Sequence, residues 1–314
     1  MISFRYHIVS IVSVFLALAI GVALGGGPLK GTVDNTLVTQ VQADKKVKVA
    51  LRAEITALKD GNTFTDSFAE TVAPKLIGGT LRGRVVDILV LPRAQATDVA
   101  ALSDFVGQAG GTIGGTLRLG TGMVDAGNKQ LVDQLGSQLE AGASDVSVPQ
   151  TANPYQRMGA LIARVVGTKA AGGADVDSEA RTILAGLATA NLASADGTLK
   201  RRGSVLLVVG GAGAQTADAR TGENAIVTTL ATALTTGVDG VVVVGPVAAA
   251  RGGVLSAVRN DVGASRVVST VDSIGRTPGQ VVAVMALGRA ARGSVGQYGA
   301  VGADNGAMPG AAQP

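Results

Sequence analysis

The sequence contains no cysteine and no tryptophan. The absence of cysteine excludes disulfides, thiolate metal sites, cysteine nucleophiles and iron–sulfur clusters, although it leaves the cellular compartment open. Aromatic residues make up only 3% of the 314 residues, and charged residues 16%. We therefore expect a core of Val, Leu, Ile and Ala, which suits a parallel sheet covered closely by small helices.

Positive charge is sparse and scattered. The formal net charge is +4, and the largest basic cluster is Lys45-Lys46-Val47-Lys48. No basic stripe carries interleaved aromatic side chains, so the sequence predicts no nucleic-acid partner. A weak attraction to anionic lipid or to an acidic envelope polymer is compatible with this charge.

The sequence also lacks the signatures of common enzyme classes. It has neither the Gly-x-x-x-x-Gly-Lys-Ser/Thr of a P-loop nor the Gly-x-Ser-x-Gly of a nucleophile elbow. The stretch 210–215 (GGAGAQ) follows an apolar run, but Thr216 stands where a dinucleotide-binding fingerprint needs its third glycine, and the next helix is expected only near Thr221. We interpret it as a flexible loop and predict no enzyme. The alternative is an enzyme with a degenerate nucleotide loop, in which Asp239 would contact the ribose.

The chain does contain one long apolar run, in its opening MISFRYHIVSIVSVFLALAIGVALGGGPLKG. The 17 residues from Ile8 to Leu24 carry no charge and span about 26 Å as a helix, close to the ~30 Å of a bilayer core. We predict a transmembrane helix over residues 8–27, anchored by Ile8, Phe15, Leu16, Leu18, Ile20 and Leu24. A cleaved signal sequence is the alternative, although its apolar region is usually only ~7–15 residues long.

The charges beside this run suggest an orientation. Arg5 and the amino terminus flank one end, and Lys30 is the nearby positive charge at the other. The positive-inside rule then favours a cytoplasmic tail over residues 1–7 and a body outside the cytoplasm, in the cell envelope. His7 is the only histidine, so it cannot build a metal site, and we interpret it as an interfacial polar residue.

Residues 28–74 show a heptad pattern. Side chains alternate at spacings of four and three along Leu37, Val41, Asp44, Lys48, Leu51, Ile55 and Leu58. This spacing is typical of a coiled-coil seam, here with two polar positions. We predict a coiled-coil stalk that joins copies of the chain into a homo-oligomer; the alternative is one amphipathic helix folded against the domain. Gly61-Asn62 is expected to kink or divide the helix, and Pro74 to end it.

Residues 75–292 alternate between β-rich and helical patterns. We predict strands at 84–91, 110–119, 204–209, 240–244, 266–270 and 280–287, and helices at 97–108, 129–140, 154–166, 178–191, 222–236 and 248–262. Continuous Val/Leu strands separated by helices indicate an α/β domain with a doubly wound, mostly parallel sheet and helices on both faces. Asp272 is interpreted as a turn-capping residue. The Gly/Ala/Pro-rich tail 293–314 is expected to be disordered.

Several stretches resemble a known family. They are Ser3-Phe4-Arg5-Tyr6-His7, the membrane run 15–21, and the segments 84–92, 268–272, 279–287 and 296–299. Together they are similar to the mycobacterial copper transport protein B (MctB) family of actinobacterial cell-envelope proteins. The resemblance implies a role in copper export or resistance, described as an outer-membrane channel. Related members also look like partners of cell-division and wall-hydrolase machinery. The family has no agreed catalytic residues, and Gln297 stands where it often has histidine.

The sequence contains few side chains that could bind copper. Copper favours Cys, Met and His ligands, and no Met-x-x-Met pair occurs among Met1, Met123, Met158, Met285 and Met308. We predict no cofactor, with copper as a possible transported ion and no assigned metal ligand. A single apolar helix cannot line a polar pore. The predicted function is a single-pass, membrane-anchored envelope protein of copper transport and homeostasis. The alternative is a non-enzymatic scaffold that regulates cell division or wall hydrolysis through coiled-coil binding of an envelope or division partner.

Overall fold

A computed structural model describes residues 4–26, 29–146 and 148–310. The chain divides into two compact units, Met1–Phe64 and Thr65–Pro314. The first unit contains helix α1 (Phe4–Gly26) and most of helix α2 (Leu29–Ile77). The second unit contains the end of α2 and every strand of the described chain.

Helix α1 is apolar on all sides. Its 23 residues have no acidic side chain in the first turn and no basic one in the last. The segment Arg5–Gly25 has a mean hydropathy of 2.6 and is long and apolar enough to cross a membrane. The helix thus begins four residues before the predicted span, and Gly27 at the end of that span lies outside the described residues.

Helix α2 is longer than the sequence pattern predicted. It runs for 49 residues without interruption, so Gly61-Asn62 does not divide it, and the alternative of a kink there stays a prediction. It also continues three residues beyond Pro74. Proline removes one amide donor but keeps its carbonyl, which here accepts a hydrogen bond from the amide of Gly78 at 3.1 Å. The last turn of a helix therefore tolerates this proline.

The second unit is built on a mixed, mostly parallel sheet. Within the described residues its strand order is β4-β2-β1-β6-β7-β8-β9, and only the β2–β4 pair is antiparallel. These strands are β1 (Val85–Val90), β2 (Thr112–Leu119), β4 (Ala193–Ala195), β6 (Val205–Val209), β7 (Gly240–Val244), β8 (Val268–Val271) and β9 (Gln297–Tyr298). Two short strands, β3 (Ala174–Asp175) and β5 (Arg201–Arg202), pair separately.

Helices cover both faces of this sheet, as predicted. They are α3 (Ala96–Gln108), α4 (Thr121–Val124), α5 (Lys129–Ala141), α6 (Pro154–Val166), α7 (Ser178–Thr189), α8 (Ala217–Leu234), α9 (Val247–Ala250), α10 (Val254–Asn260) and α11 (Thr277–Ala290). One core cluster joins α3, α11 and the end of α2 to one face. The other joins α4 to α10 to the opposite face. Alternate residues of β1 belong to the two clusters, because successive strand side chains point to opposite faces.

Residues 280–287, predicted as a strand, lie instead in helix α11. The run VVAVMAL is buried on nearly every side, so it has no amphipathic period that would separate helix from strand. Pro278 at the first helical turn was the available signal.

Two crossovers of the sheet have opposite hands. Helix α8 joins β6 to β7, and α11 joins β8 to β9, and both connections move in the same direction along the sheet. Because the two helices cover opposite faces, the two connections differ in handedness.

Two other helices differ from the prediction in their bounds. The predicted helix 248–262 is divided into α9 and α10, since Gly252 adopts φ +88° and a Cβ on Gly253 would lie 2.8 Å from the Cα of Ala249. Helix α8 begins at Ala217, five residues before its predicted start, because the side chain of Thr216 caps it.

The tail from residue 293 onward is not disordered over its described part. Residues 297–298 form edge strand β9, and Tyr298 is buried in the core beside α11. The amide of Asn305 donates to the carbonyl of Gln297 at 3.0 Å. Composition alone did not reveal these partners; residues 311–314 lie outside the described chain.

Candidate functional site

The predicted anchor side chains form an exposed apolar surface. All six lie on α1 and all are solvent-exposed: Ile8, Phe15, Leu16, Leu18, Ile20 and Leu24. No part of the apolar segment of α1 is buried by the rest of the described protein. An exposed apolar surface of this size marks a site of contact with lipid or with another protein.

The predicted seam of α2 is also exposed. Val41, Leu51, Ile55 and Leu58 are each at least half exposed, and Lys48 lies among them. The side chain of Leu37 lies outside the described ones. A second helix that packs along this row would bury the apolar side chains as a heptad seam.

The described ranges 4–26, 29–146 and 148–310 contain no group of three or more His, Cys, Asp or Glu side chains that could hold a metal ion. Met123 and Met158 are fully buried in the core cluster of α4 to α10, whereas Met285 packs partly buried against the other cluster. Met308 is exposed in the tail, and Met1 lies outside the described residues. The structure does not bring the methionines together at one face of the sheet.

A buried polar cluster lies where β8 ends, and we call it the Asp272 centre (Asp272, Arg259, Thr270 and Gln297). Asp272 follows β8 directly and is fully buried. Its carboxylate accepts hydrogen bonds from the Ser273 hydroxyl at 2.6 Å, the Ala300 amide at 2.7 Å and the Val301 amide at 3.1 Å. Both backbone amides bonded to Asp272 thus belong to the C-terminal segment, and the one partner from its own turn is the Ser273 hydroxyl.

Arg259 of α10 supplies the opposite charge. Its Nη1 lies 3.2 Å from Oδ2 of Asp272, and its side chain is only 5% exposed. It also donates to the Tyr298 carbonyl at 2.7 Å and to the Val301 carbonyl, while Nε donates to the Thr270 hydroxyl at 2.7 Å. A buried ion pair is tolerated when such hydrogen bonds compensate its desolvation.

Gln297 completes the Asp272 centre. Its Oε1 accepts from the Thr270 hydroxyl at 2.6 Å, and its Nε2 donates to the carbonyls of Ser265 at 3.0 Å and Val268 at 2.9 Å. Both ends of the amide are thus bonded within the protein. Gln297 therefore fixes edge strand β9 to the end of β8 and to the segment before it.

Backbone geometry brings the tail close to Asp272. Gly299 adopts φ +134°, and a Cβ there would lie 2.3 Å from the carboxyl carbon of Asp272. Burial would raise the pKa of Asp272, but hydrogen bonds from Ala300, Ser273 and Val301, together with Arg259, hold it below its ordinary value. The carboxylate is therefore ionised and fully bound, which suits a structural role rather than proton transfer.

The fold places a second candidate site at its topological switch point, between β1 and β6. Ligands of open α/β sheets bind there, beyond the carboxyl ends of the strands. The glycine-rich loop 210–216 reaches this point, but a Cβ on Gly211 would lie 2.3 Å from the carbonyl oxygen of Arg93. The two loops are in backbone contact. The Arg93 guanidinium pairs with the buried carboxylate of Glu223, so the protein's own groups occupy the crevice.

The other features of the nucleotide hypothesis are not brought together. Asp239 precedes β7 and therefore lies at the amino edge of the sheet, where it pairs with Arg84. The loop 210–216 lies at the opposite, carboxyl edge. Asp218 occupies the first turn of α8, where a phosphate would need a positive or neutral environment. The structure therefore places Asp239 and the loop 210–216 at opposite edges of the sheet.

Sequence reasoning missed one unusual group, the buried Asp87 of β1. Asp87 lies at a β-bulge: Val86 pairs with Ile113 and Asp87 pairs with Gly115, so Gly114 is the extra residue of β2. Oδ2 accepts from the Gly203 amide, whereas Oδ1 is buried without a partner. Burial raises the pKa of Asp87 to about 8, against the hydrogen bonds from Gly203 and Gly115. An Asp inside an otherwise apolar strand was the sequence signal for it.

Comparison with known proteins gives the family. The family model "Copper transport outer membrane protein, MctB" matches residues 1–309. A Mycobacterium leprae protein named "Copper transporter MctB" is 31% identical over 310 residues, which cover 95% of this chain and 96% of the relative. Proteins of the same name from Mycobacterium tuberculosis and Mycobacterium bovis are 29% identical over 308 residues, with the same coverage. The chain therefore belongs to the MctB family of copper transport outer membrane proteins, as its N-terminal motif indicated.

Proposed function

We propose that this chain is a single-pass, membrane-anchored protein of the cell envelope that takes part in copper transport and copper homeostasis. The observation that carries the proposal is the exposed apolar helix α1 in a chain that matches the copper transport family over nearly its whole length. The proposal places residues 1–7 in the cytoplasm and the α/β unit outside it. It assigns no catalytic role, in keeping with relatives that are named as transporters.

The anchor part of the proposal is supported by length and composition. The 21 residues Arg5–Gly25 form about 32 Å of helix, which matches the ~30 Å hydrocarbon core. Retention of the helix is favoured over cleavage because the apolar run exceeds the usual signal length. An exposed apolar helix of this kind is stable only in lipid or against a partner.

The copper part depends on the family and leaves the route of the ion open. Gln297 is buried and fully bonded inside the Asp272 centre, so its side chain presents no ligand to solvent. Copper is therefore treated as cargo of the assembly to which this chain belongs. A membrane-spanning route through the assembly requires further helices, because one helix cannot satisfy a polar pore.

Two measurements in the native organism test the proposal together. In intact cells, protease added outside should remove the α/β unit while the N-terminal tail stays protected, and N-terminal sequencing should show residues before Gly26. A deletion strain should hold more copper than its parent. Equal copper in both strains overturns the copper role, whereas a mature chain that starts near Gly26 overturns the anchor.

We further propose that α2 joins copies of this chain as a parallel coiled coil. The exposed seam Val41, Leu51, Ile55 and Leu58 supports this. With Val41 at position a, Glu54 and Lys59 fall at g and the following e, where opposite charges attract across a parallel pair. A shared membrane also requires copies to leave it in the same direction.

The same exposed seam favours a second candidate function, a scaffold that binds an envelope or cell-division partner. In that case α2 would bind a heptad segment of another protein. Crosslinking in intact cells separates the two: recovery of only homo-oligomers through α2 contradicts the scaffold, as does normal cell separation in a deletion strain. Impaired separation with unchanged copper favours the scaffold.

A further inference from the structure

A cavity of about 590 Å³ lies in the second unit, and none of the four residues of the Asp272 centre lines it. Its lining comes from α6, α8, the loop 148–152 and the segment 261–267. This volume is within the range of small-molecule sites. It belongs entirely to the second unit.

One wall of the cavity is a row of threonines on α8 and on the turn that follows it. Four of them donate their hydroxyl hydrogens to helix carbonyls three or four residues earlier: Thr229, Thr232, Thr235 and Thr236. Each hydroxyl therefore presents its lone pairs and a methyl group to the cavity rather than a donor. These four threonines therefore offer methyl groups and hydrogen-bond acceptors to the cavity, because their hydroxyl hydrogens are already donated.

The remaining polar groups strengthen this bias. Asp261 is the one charged residue among those lining the cavity, and its Oδ1 accepts from the amides of Gly263 at 2.9 Å and Ala264 at 2.7 Å. That leaves Oδ2 for a ligand. Thr228 also lines the cavity, but its Oγ1 is buried and has no hydrogen-bond partner.

The neighbouring cations are directed away from the lining. Lys169 keeps its charge, but its Nζ donates to the carbonyls of Thr235 and Val238, and Lys169 is not part of the lining. Arg157 is bound by Asp133 and Glu140. Among the described residues, the carboxylate of Asp261 is therefore the one charge that lines the cavity directly, and charge in a concave site attracts an opposite charge.

We propose that this cavity binds a small organic cation, a primary ammonium group on a short apolar body. The ammonium has three donors and a positive charge, which match the carboxylate of Asp261 and the acceptor oxygens of the threonines. The apolar body lies against the small side chains Ala160 and Ala233 and against Pro149. This site is independent of copper and of the α2 seam.

The test uses the full-length chain in lipid nanodiscs with carbon-13-labelled threonine methyls. Titration with n-butylammonium chloride should shift the α8 threonine methyls and leave those of α2, such as Thr56, unchanged. n-Butanol should bind at least about tenfold more weakly, since it lacks the charge-assisted bond. Sodium butyrate should produce no shift, because its charge has the sign of Asp261.

Two variants have matched controls. Asp261→Asn keeps the oxygen that accepts from Gly263 and should weaken n-butylammonium binding about tenfold. Asp125→Asn is its control, because Asp125 accepts from Gly127 at the same 2.9 Å in an equivalent turn away from the cavity. Ala160→Leu should fill the cavity and abolish the shifts, whereas Ala185→Leu on the exposed side of α7 should not.

Three results would overturn the proposal. They are equal binding of n-butanol and n-butylammonium, unchanged binding in Asp261→Asn, and shifts that persist in an Ala160→Leu protein. Threonine methyls outside α8 report whether each variant is folded, so loss of binding is read only where those signals match the parent. Equal shifts in Asp261→Asn and Asp125→Asn would likewise exclude a role for the Asp261 charge.

Discussion

The carboxylate of Asp272 and the guanidinium of Arg259 form an ion pair at 3.2 Å in which neither side chain is more than 5% exposed. Asp272→Asn should leave Arg259 charged and buried without its counter-ion. Removing one partner of a buried pair costs about 3–5 kcal/mol of unfolding free energy. Urea unfolding of the full-length chain in detergent measures this loss, and Asp304→Asn in the exposed tail is the matched control.

The same pair has a defined dependence on acid. The pKa of Asp272 is lowered in the folded protein. The ionised carboxylate therefore adds to the free energy of unfolding above the ordinary aspartate pKa, and this stabilisation is lost as pH falls through the folded pKa. The difference in unfolding free energy between the parent chain and Asp272→Asn should therefore become smaller below about pH 4. A difference between the two chains that stays constant down to pH 2 would contradict the ion pair.

Asp87 should produce the opposite trend. The folded protein holds its proton up to a pKa of about 8, whereas the unfolded chain releases it near 3.8. The stabilisation is complete below the lower value and is lost as pH rises, at about 1.4 kcal/mol for each pH unit between the two. Urea unfolding from pH 4 to 9 measures the slope.

Asp87→Asn separates this effect from other titrations. The amide imitates the neutral acid and can still accept from the Gly203 amide, so its slope between pH 4 and 8 should be smaller than that of the parent. Asp104→Asn on the exposed side of α3 should keep the parental slope. Identical slopes in all three chains would mean that Asp87 is ionised in the folded state.

Asp66 near the end of α2 acts as a helix cap for another helix. Its carboxylate accepts from Nε of Arg276 at 2.9 Å and from the amide of Thr277 at 3.2 Å, at the start of α11. Helix α11 has no side-chain cap of its own. Asp66→Ala should cost about 1 kcal/mol. Hydrogen exchange of residues 277–280 should become faster, whereas exposed Asp60→Ala should leave it unchanged.

The absence of cysteine makes the proposed stalk directly testable. Leu51→Cys introduces a single thiol at a seam position, and mild oxidation in the membrane should link two copies within disulfide reach. Ala53→Cys lies two residues away on the outer side of the predicted coil and is the control. Equal crosslinking of both variants, or none of either, would contradict a parallel coil in register.

The central strands β6 and β7 were predictable because their sequences leave few alternatives. The runs 205–209 and 240–244 are short, β-branched and continuous, which is the pattern of a strand buried on both faces. Helix α6 was predicted with its observed bounds, since Asn153 and Gln156 form a capping box around Pro154. Local chemistry alone determines these elements.

The remaining features depend on partners that are distant in sequence. Asp272 is bonded to amides 28 and 29 residues later, so it was interpreted only through its own turn. The ordered tail depends on the same bonds, and its Gly/Ala content predicted disorder. The cavity beside α8 was not predicted either, because the sequence of a threonine-rich helix does not show which other segments pack next to it.

The contacts of residues 298–301 with the Asp272 centre have a consequence for the order of folding. Tyr298, Ala300 and Val301 supply two carbonyls and two amides that compensate the burial of Arg259 and Asp272. These groups lie within the last 17 residues of the printed sequence, so the buried ion pair is fully compensated only after the chain has been synthesised beyond Val301.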